Sequence, residues 1–334
     1  MDSASSWLLE PISEEAPCGD NLEDTQLLSS FDGYRVFGQM SPPSGETTDW
    51  RDLRDAADDA LRKSKDFRLL ANFAVARLNL EGLAKFCHTL AVAPAWLEAF
   101  PDHVYPLIDD DAILRRNALN NFADRMAVID AVRRTPFVRH PMIGAFSLRD
   151  LEFAKGLVTA PEGEEGSTAT EGQIQGALSA IDEEELQAST EAFATGVEAA
   201  ERIEALMRDT HGFEGTPELS PLLAQLKQIH GLFAGQLATR SASVQGDAAD
   251  GSSSEGAGGA GVIGVGSIRS RDDALRALDA VSEFFRRNEP SSPVPMVVDR
   301  AKRLMSLNFL EVLKDLAPGG LEEAKVVGGV RDEE

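Results

Sequence analysis

The stretch DWRDLRDAADDALRKSKDFRLLANFAVARLNLEGL, residues 49–83, decides the fold class of this chain. Its first half repeats apolar residues three and four positions apart, which is the spacing of one face of an amphipathic helix. The residues on this face are Leu53, Ala56, Ala57, Ala60 and Leu61. Asp49 precedes the repeat and is a residue type that caps helix N-termini. The apolar pattern continues through residues 67–83, so the whole stretch predicts helix.

The same periodicity extends outward on the C-terminal side. It predicts a helix over about 83–100, weakened in the middle by Pro94, and another over about 112–134. Residues 135–146 lack the repeat and are predicted to form a loop, after which Ser147 is suited to cap a short helix. Alternation of β-branched residues is nearly absent, so we predict an all-α fold.

On the N-terminal side, residues 7–24 (WLLEPISEEAPCGDNLED) cannot form one continuous helix, because Pro11 and Pro17 interrupt it. We predict an extended segment whose apolar side chains pack on a later core. Those side chains belong to Trp7, Leu8, Leu9 and Ile12.

The middle of the chain alternates between polar stretches and helices. Residues 159–176 are rich in Gly, Glu, Ser and Thr and predict a solvated acidic linker. A helical pair over about 182–210 and 217–239 follows, with apolar residues every three or four positions, as in an antiparallel hairpin. Residues 241–266 have the Gly/Ser-rich composition of a flexible linker.

The last segment predicts a small helical domain. Ser270 with Asp273 resembles a capping box, and the helix that they begin is expected to end near Asn288, before Pro290. Pro295 suits the first turn of the next helix. A helical unit of this size buries little apolar surface alone, so we expect it to assemble with a neighbouring subunit.

These observations define five regions. We predict a helical N-terminal domain, an acidic linker, a helical hairpin, a Gly/Ser-rich linker and a C-terminal helical assembly domain. Their boundaries are 1–158, 159–176, 177–240, 241–266 and 267–334.

Composition indicates a soluble globular protein of the cytoplasm. The 334 residues are 43% hydrophobic and 26% charged, and the formal net charge is −24. Residues 161–266 alone hold 18 acidic and 4 basic residues. This charge disfavours binding to nucleic acid or to an anionic membrane surface, both of which need basic faces. Two cysteines form no disulfide framework, and we expect neither a signal peptide nor a membrane span.

The sequence offers no convincing catalytic, cofactor or metal site. Residues 255–267 (EGAGGAGVIGVGS) match G-x-G-x-x-G at Gly256, Gly258 and Gly261, but no strand precedes them, so we predict no nucleotide site. The five histidines are scattered over separate segments. The acidic run at Asp109, Asp110 and Asp111 is best explained as a helix start that complements the helix dipole.

Several motifs together resemble a known family. LLEPISEEAPCGDNLE, DWRDLRDAADDALRKSKDFRL, LNLEGL, RRNALN and GAFSLRDLE occur in the order found in the ImpA-type N-terminal domain of TssA proteins, which are components of the bacterial type VI secretion system. Residues 270–320 are similar to the C-terminal segment of the shorter TssA branch. One departure is FPDHVYP, where Tyr105 stands at a position that tends to be histidine in the relatives.

The resemblance implies a non-enzymatic, helical assembly protein without cofactors. It implies a ring-like homo-oligomer, formed through the C-terminal region, that works in the cytoplasm with baseplate, tube and sheath proteins of the secretion apparatus. It implies no nucleic-acid partner and no insertion into the membrane.

We expect the helix–helix corner of the C-terminal domain and its apolar face to form the interaction surface. The candidate residues are Phe284, Phe285, Pro290, Ser291, Ser292, Pro293, Val294, Pro295, Phe309 and Leu310. Two alternatives stay open from the residues themselves. One is a regulatory adaptor that binds secretion components without forming a ring, and the other is an enzyme with a pocket hidden in a helical domain.

Overall fold

A computed structural model of the chain describes residues 3–39, 48–108, 111–159, 169–247, 271–288 and 293–305. It divides into two compact units, Met1–Ser252 and Ser253–Glu334. The described α-helices are α1 (Gln26–Ser30), α2 (Trp50–Leu61), α3 (Phe67–Glu81), α4 (Leu83–Leu90), α5 (Val92–Ala99), α6 (Ile113–Asn120), α7 (Ala131–Arg134), α8 (Leu148–Ala154), α9 (Glu171–Ala180), α10 (Glu183–Gly215), α11 (Ser220–Asp247), α12 (Arg271–Asn288) and α13 (Val294–Met305). Short 3-10 helices lie at Ser3–Leu8, Phe31–Tyr34 and Asn121–Ala123, and one π-helical turn at Arg125–Asp130.

The stretch that predicted helix forms two helices. Asp49 caps α2 as expected, accepting from the backbone N–H groups of Arg51 and Asp52 at 3.0 and 3.2 Å. The chain then breaks, and Asp66 caps α3 by accepting from the Arg68 N–H at 2.8 Å. Helix α3 is buried along most of its length, so it forms the centre of the N-terminal core.

Two other predicted helices are interrupted. The segment over 83–100 divides at Ala91 into α4 and α5, with Pro94 in the first turn of α5, where a missing N–H costs nothing. The segment over 112–134 is a succession of α6, a 3-10 turn, a π-helical turn and α7. Asp124 lies at the change from the 3-10 turn to the π-helical turn and caps the latter, accepting from the N–H groups of Met126 and Ala127 at 3.0 and 2.8 Å.

A β-hairpin interrupts the predicted all-α pattern, although the fold remains mostly helical. Strands β1 (Val138–His140) and β2 (Gly144–Phe146) pair antiparallel within the segment predicted as loop. Each strand has three residues, which is too short for an alternating pattern to be visible in the sequence. Gly144, at φ 127°, adopts a backbone conformation at the end of the turn that side-chain-bearing residues rarely adopt.

The predicted acidic linker contains the start of a helix. Thr170 and Gln173 form a capping box that begins α9, and α9 buries Ile174, Ala177 and Leu178. The prediction of solvated linker was therefore wrong from residue 171 onward, because the capping box and these apolar residues form an amphipathic helix. The other described part of the linker, residues 159 and 169–170, is not helical.

The predicted helical pair packs on the N-terminal helices. Helix α10, capped by Asp182, runs antiparallel to α11 and contacts α4, α5 and α6. The two helices approach closely where Gly196 of α10 meets Cys87 of α4. Arg240 donates to the carbonyl oxygen of Ile181 at 2.5 Å, which ties α11 to the end of α9. Both helices thus share the core of the unit Met1–Ser252.

Buried cationic side chains bind main-chain oxygens in this unit. Lys65 Nζ and Trp96 Nε1 both donate to the Leu8 carbonyl oxygen, at 2.6 and 2.7 Å, which holds the N-terminal segment on the core. Leu8 is fully buried, as predicted.

Arg115 acts in the same way on the segment between α5 and α6. Its guanidinium donates to the carbonyl oxygens of Pro101, Val104 and Pro106 at 2.7 to 3.0 Å. Three charge-assisted hydrogen bonds from a single buried side chain fix this segment firmly.

Candidate assembly surface

The candidate surface lies in the C-terminal unit, on the helical pair α12–α13. Two ion pairs link the helices: Arg286 Nη2 lies 2.8 Å from Asp299 Oδ2, and Lys302 pairs with Asp279. These groups are largely exposed, and such pairs contribute only about 0–1 kcal/mol each. Apolar contacts must therefore supply most of the stability of the pair.

The described part of this pair leaves apolar side chains in contact with water. Val298 is buried, but Val281 is 42% exposed, Met296 78% and Val297 65%. Burying such a side chain fully is worth about 1.5–3 kcal/mol. An apolar group of this kind on a small helical unit favours association with another surface.

The predicted surface residues fall into three groups. Pro293 is exposed, and Phe285, Val294 and Pro295 are half-buried. The side chain of Phe284 is not among those that the structure describes. The remaining predicted residues lie outside the described ranges: Pro290, Ser291, Ser292, Phe309 and Leu310.

Two predicted features of the helices at this surface are present in the structure. Helix α12 ends at Asn288, and Pro295 lies in the first turn of α13. Met296 and Val297 were not predicted as surface residues, although both belong to an apolar run after Pro295. Consecutive residues on a helix point about 100° apart, so Met296, Val297 and Val298 cannot all face the same partner helix. This run could therefore have predicted that part of its apolar surface stays exposed.

No described cluster of side chains has the composition of a metal site. Within the described ranges, no group of three or more His, Cys, Asp or Glu residues could hold an ion. Asp111 Oδ1 accepts from the Ile113 N–H at 2.9 Å, which is a helix-start role, while Asp109 and Asp110 lie outside those ranges. The G-x-G-x-x-G match also lies outside them.

Both thiols are buried and poorly suited to nucleophilic chemistry. Burial raises the pKa of Cys87 to about 12, and that of Cys18 to about 11. A thiol must ionise to attack, so neither side chain is activated.

The PCGDNLE stretch has a structural role. The Lys65 N–H donates to the Cys18 carbonyl oxygen at 2.8 Å, and the Asp20 N–H donates to that of Lys63 at 2.9 Å. Gly19 lies between them at φ 71°, and a Cβ there would lie 2.1 Å from the Lys63 oxygen. Only glycine fits this close approach, so the stretch anchors the N-terminal segment beside the end of α2.

Comparison with known proteins identifies the family. The family described as ImpA, N-terminal, type VI secretion system matches residues 9–124. Over nearly its whole length, the chain is similar to the type VI secretion system component TssA1 of Pseudomonas aeruginosa. The two are 30% identical over 345 aligned residues, which cover 98% of each chain. The chain belongs to the TssA family.

A solved structure of a TssA domain has the same fold. It is the N-terminal domain, including the conserved ImpA_N region, of the TssA component from Burkholderia cenocepacia, and it matches with a TM-score of 0.53 at 21% identity. The match covers 70% of this TssA-family chain and 93% of that one. Because 70% of this chain is longer than residues 9–124, the common fold extends beyond the ImpA_N match.

Tyr105 of this TssA-family chain has a packing role. Its Oη donates to the Gly19 carbonyl oxygen at 3.2 Å, and its N–H donates to the Lys65 oxygen at 3.0 Å. It therefore connects the anchored N-terminal segment with the start of α3.

None of the helices in the described ranges is both long and apolar enough to cross a bilayer.

Proposed function

We propose that this TssA-family chain is a non-enzymatic assembly subunit of the type VI secretion system. In this proposal it forms ring-like homo-oligomers through its C-terminal unit and contacts baseplate, tube and sheath proteins in the bacterial cytoplasm. The observation that carries the proposal is the exposure of Met296 and Val297 on a helical pair whose described part buries little apolar surface.

Self-association would cover this surface. Charged residues of the described part of the pair form ion pairs, as in Arg286 with Asp299, whereas the side chains of Met296 and Val297 are mostly exposed. A second copy of the same surface supplies matching apolar area without introducing an unpaired charge. The acidic charge of the chain opposes non-specific aggregation, so association requires a specific apolar contact.

The absence of enzymatic activity is part of the proposal. Its support is the family, together with buried thiols of raised pKa and described acidic residues that cap helices, such as Asp49 and Asp182.

Mass measurement by light scattering, with negative-stain images, tests the proposal. Three proteins are compared with the full chain: a chain that ends at Asp247, the double variant Met296→Glu, Val297→Glu, and the control Met142→Glu. Ending at Asp247 keeps the contact of Arg240 with Ile181. Met142 is exposed like Met296 but lies in the unit Met1–Ser252, in the turn between β1 and β2.

We expect a ring-sized mass for the full chain and for Met142→Glu, and a smaller mass for the other two. A full chain that is monomeric at micromolar concentration would overturn the ring and favour an adaptor that assembles only on its partners. If the double variant forms an unchanged ring, the ring contact does not depend on Met296 and Val297.

A further inference from the structure

A large cleft in the unit Met1–Ser252 has no role in the assembly proposed above. Its volume is about 780 Å³. One wall is Arg35, Val36 and Trp50, and a second is the junction of α3 and α4 around Gly82. The π-helical turn, α7 and Arg139 complete it, together with Phe193 of α10. We call this the Arg35 cleft.

The walls of the Arg35 cleft are held in place by specific contacts. Asp124 caps the π-helical turn and also accepts from the Gly38 N–H at 2.9 Å, so one side chain joins two walls. On the opposite side, Phe137 and Phe193 both pack on Phe233, with ring centroids 6.3 and 5.0 Å apart. A cleft whose walls are already fixed loses little conformational entropy when a ligand binds.

The Arg35 cleft carries a local excess of positive charge. Its acidic residues are already neutralised, because Glu81 lies 3.1 Å from Arg77 and Asp130 lies 2.7 Å from Arg134. Arg35 and Arg139 are exposed, and neither has an acidic partner in the part of the chain that the structure describes. A chain with a net charge of −24 thus presents here two guanidinium groups that no described acidic residue neutralises.

The position of Arg35 is constrained by its backbone. At φ 51° and ψ 44° it is left-handed, a conformation that only Asp24 shares among the described non-glycine residues. Such residues cost about 1–3 kcal/mol and cluster at sites where the surroundings hold them in place. The conformation is maintained by the Arg35 N–H, which donates to the Asp32 oxygen at 3.1 Å.

We propose that the Arg35 cleft binds a peptide segment of a partner protein that carries a large apolar side chain next to acidic residues. The apolar floor, with Val36 and Phe137 buried and Trp50 half-buried, accepts the apolar side chain. Arg35 and Arg139 bind its carboxylates. Tryptophan and arginine dominate the binding energy of protein interfaces, and charge complementarity selects acidic segments over basic ones. The proposal is independent of ring formation through α12 and α13.

The test selects peptides from a random dodecapeptide display library on the full-length protein. Enriched peptides are synthesised, and their affinity is measured for the wild type and for Arg35→Glu, Arg139→Glu. The control is Arg51→Glu, Arg208→Glu, which reverses two exposed arginines outside the cleft. Urea unfolding verifies that both double variants are folded, and light scattering reports their oligomeric state.

We expect enriched peptides that combine acidic residues with Leu, Phe, Trp or Met. Their binding should weaken at least ten-fold in Arg35→Glu, Arg139→Glu, change less than two-fold in the control, and weaken with added salt. A change in tryptophan emission on binding should disappear in Trp50→Phe.

Any of three peptide-binding results would overturn the proposal. They are enrichment of basic or uncharged peptides, equal affinity for the wild type and for Arg35→Glu, Arg139→Glu, and a library that yields no binder. A smaller oligomer in this double variant, but not in the control, would also overturn it, since the occupant would then be a second copy of the chain.

Discussion

Gly196 of α10 lies so close to Cys87 of α4 that a Cβ at position 196 would be 2.6 Å from the Cys87 Sγ. Real Cβ atoms essentially never approach a neighbour to that distance, so the close packing of the two helices requires glycine here. We expect Gly196→Ala to lower the free energy of unfolding by about 1–3 kcal/mol through overpacking. Urea denaturation monitored by circular dichroism measures it.

Two further variants test this cause. Gly231→Ala in α11 meets no atom within 4 Å, so it should instead stabilise the protein by about 0.4–1 kcal/mol. Cys87→Ala should reduce the penalty of Gly196→Ala, because it removes the nearest atom. Additive effects of the two substitutions would show that the close contact is not the source of the penalty.

The buried Cys87 thiol predicts a loss of stability at alkaline pH. Its pKa is raised from 9 to about 12 by burial, so above pH 9 the unfolded state releases a proton that the folded state keeps. The contribution of Cys87 to the free energy of unfolding is fully present below pH 9. It falls by about 1.4 kcal/mol per pH unit as the pH rises toward 12.

The measurement compares wild type with Cys87→Ala, because other groups titrate in the same range. Burial lowers the pKa of Lys65 to about 8, so that group adds stability between pH 8 and its ordinary pKa of 10.5. The difference in unfolding free energy between wild type and Cys87→Ala should decrease between pH 9 and pH 10. Parallel pH profiles would contradict the prediction.

The Leu8 carbonyl oxygen predicts coupling between its two donors. Either Lys65→Met or Trp96→Phe leaves one hydrogen bond to this buried oxygen, whereas the double variant leaves none. We expect the double variant to lose about 1–3 kcal/mol more unfolding free energy than the sum of the two single variants. Lys63→Met, on an exposed neighbour, should be additive with Trp96→Phe. Additivity of Lys65→Met and Trp96→Phe would refute the shared role.

The parts of the fold that the sequence predicted are those decided by local chemistry. Asp49 and Ser147 cap helices as expected, because a cap depends on residues two or three positions away. The break before the π-helical turn was missed because Asp124 also binds Gly38, a partner distant in the sequence.

The candidate surfaces show the same division. In the C-terminal unit, the helix end at Asn288 and the position of Pro295 were predicted correctly, because both depend on nearby prolines. Exposure of Met296 and Val297 depends on which face of α13 meets α12, which periodicity alone does not reveal. The Arg35 cleft was not predicted at all, since it joins residues from Arg35 to Phe193 and only tertiary packing brings them together.

A substitution of Thr170 tests the start of α9, a helix within the segment predicted as acidic linker. Thr170→Ala removes the Oγ1 that accepts from the Gln173 N–H at 3.3 Å, at a cost of about 1 kcal/mol. Hydrogen exchange within α9 should therefore accelerate about five-fold. Thr195→Ala, in the middle of α10, should leave α9 unchanged. Equal exchange in both variants would indicate that packing of the buried residues Ile174, Ala177 and Leu178 holds this helix without the cap.

Arg115 donates hydrogen bonds to main-chain oxygens of the segment over residues 101–106, and every amino acid possesses such an oxygen. The exposed side chains of Asp102 and His103 take no part in these hydrogen bonds, although the Asp102 carboxylate acts on the Arg115 charge electrostatically. Over evolutionary time, substitutions at these two positions can accumulate while the path of the chain is preserved. Replacement of Arg115 would release the segment at three points together, so the tolerance of these two exposed positions to change depends on one codon outside the segment.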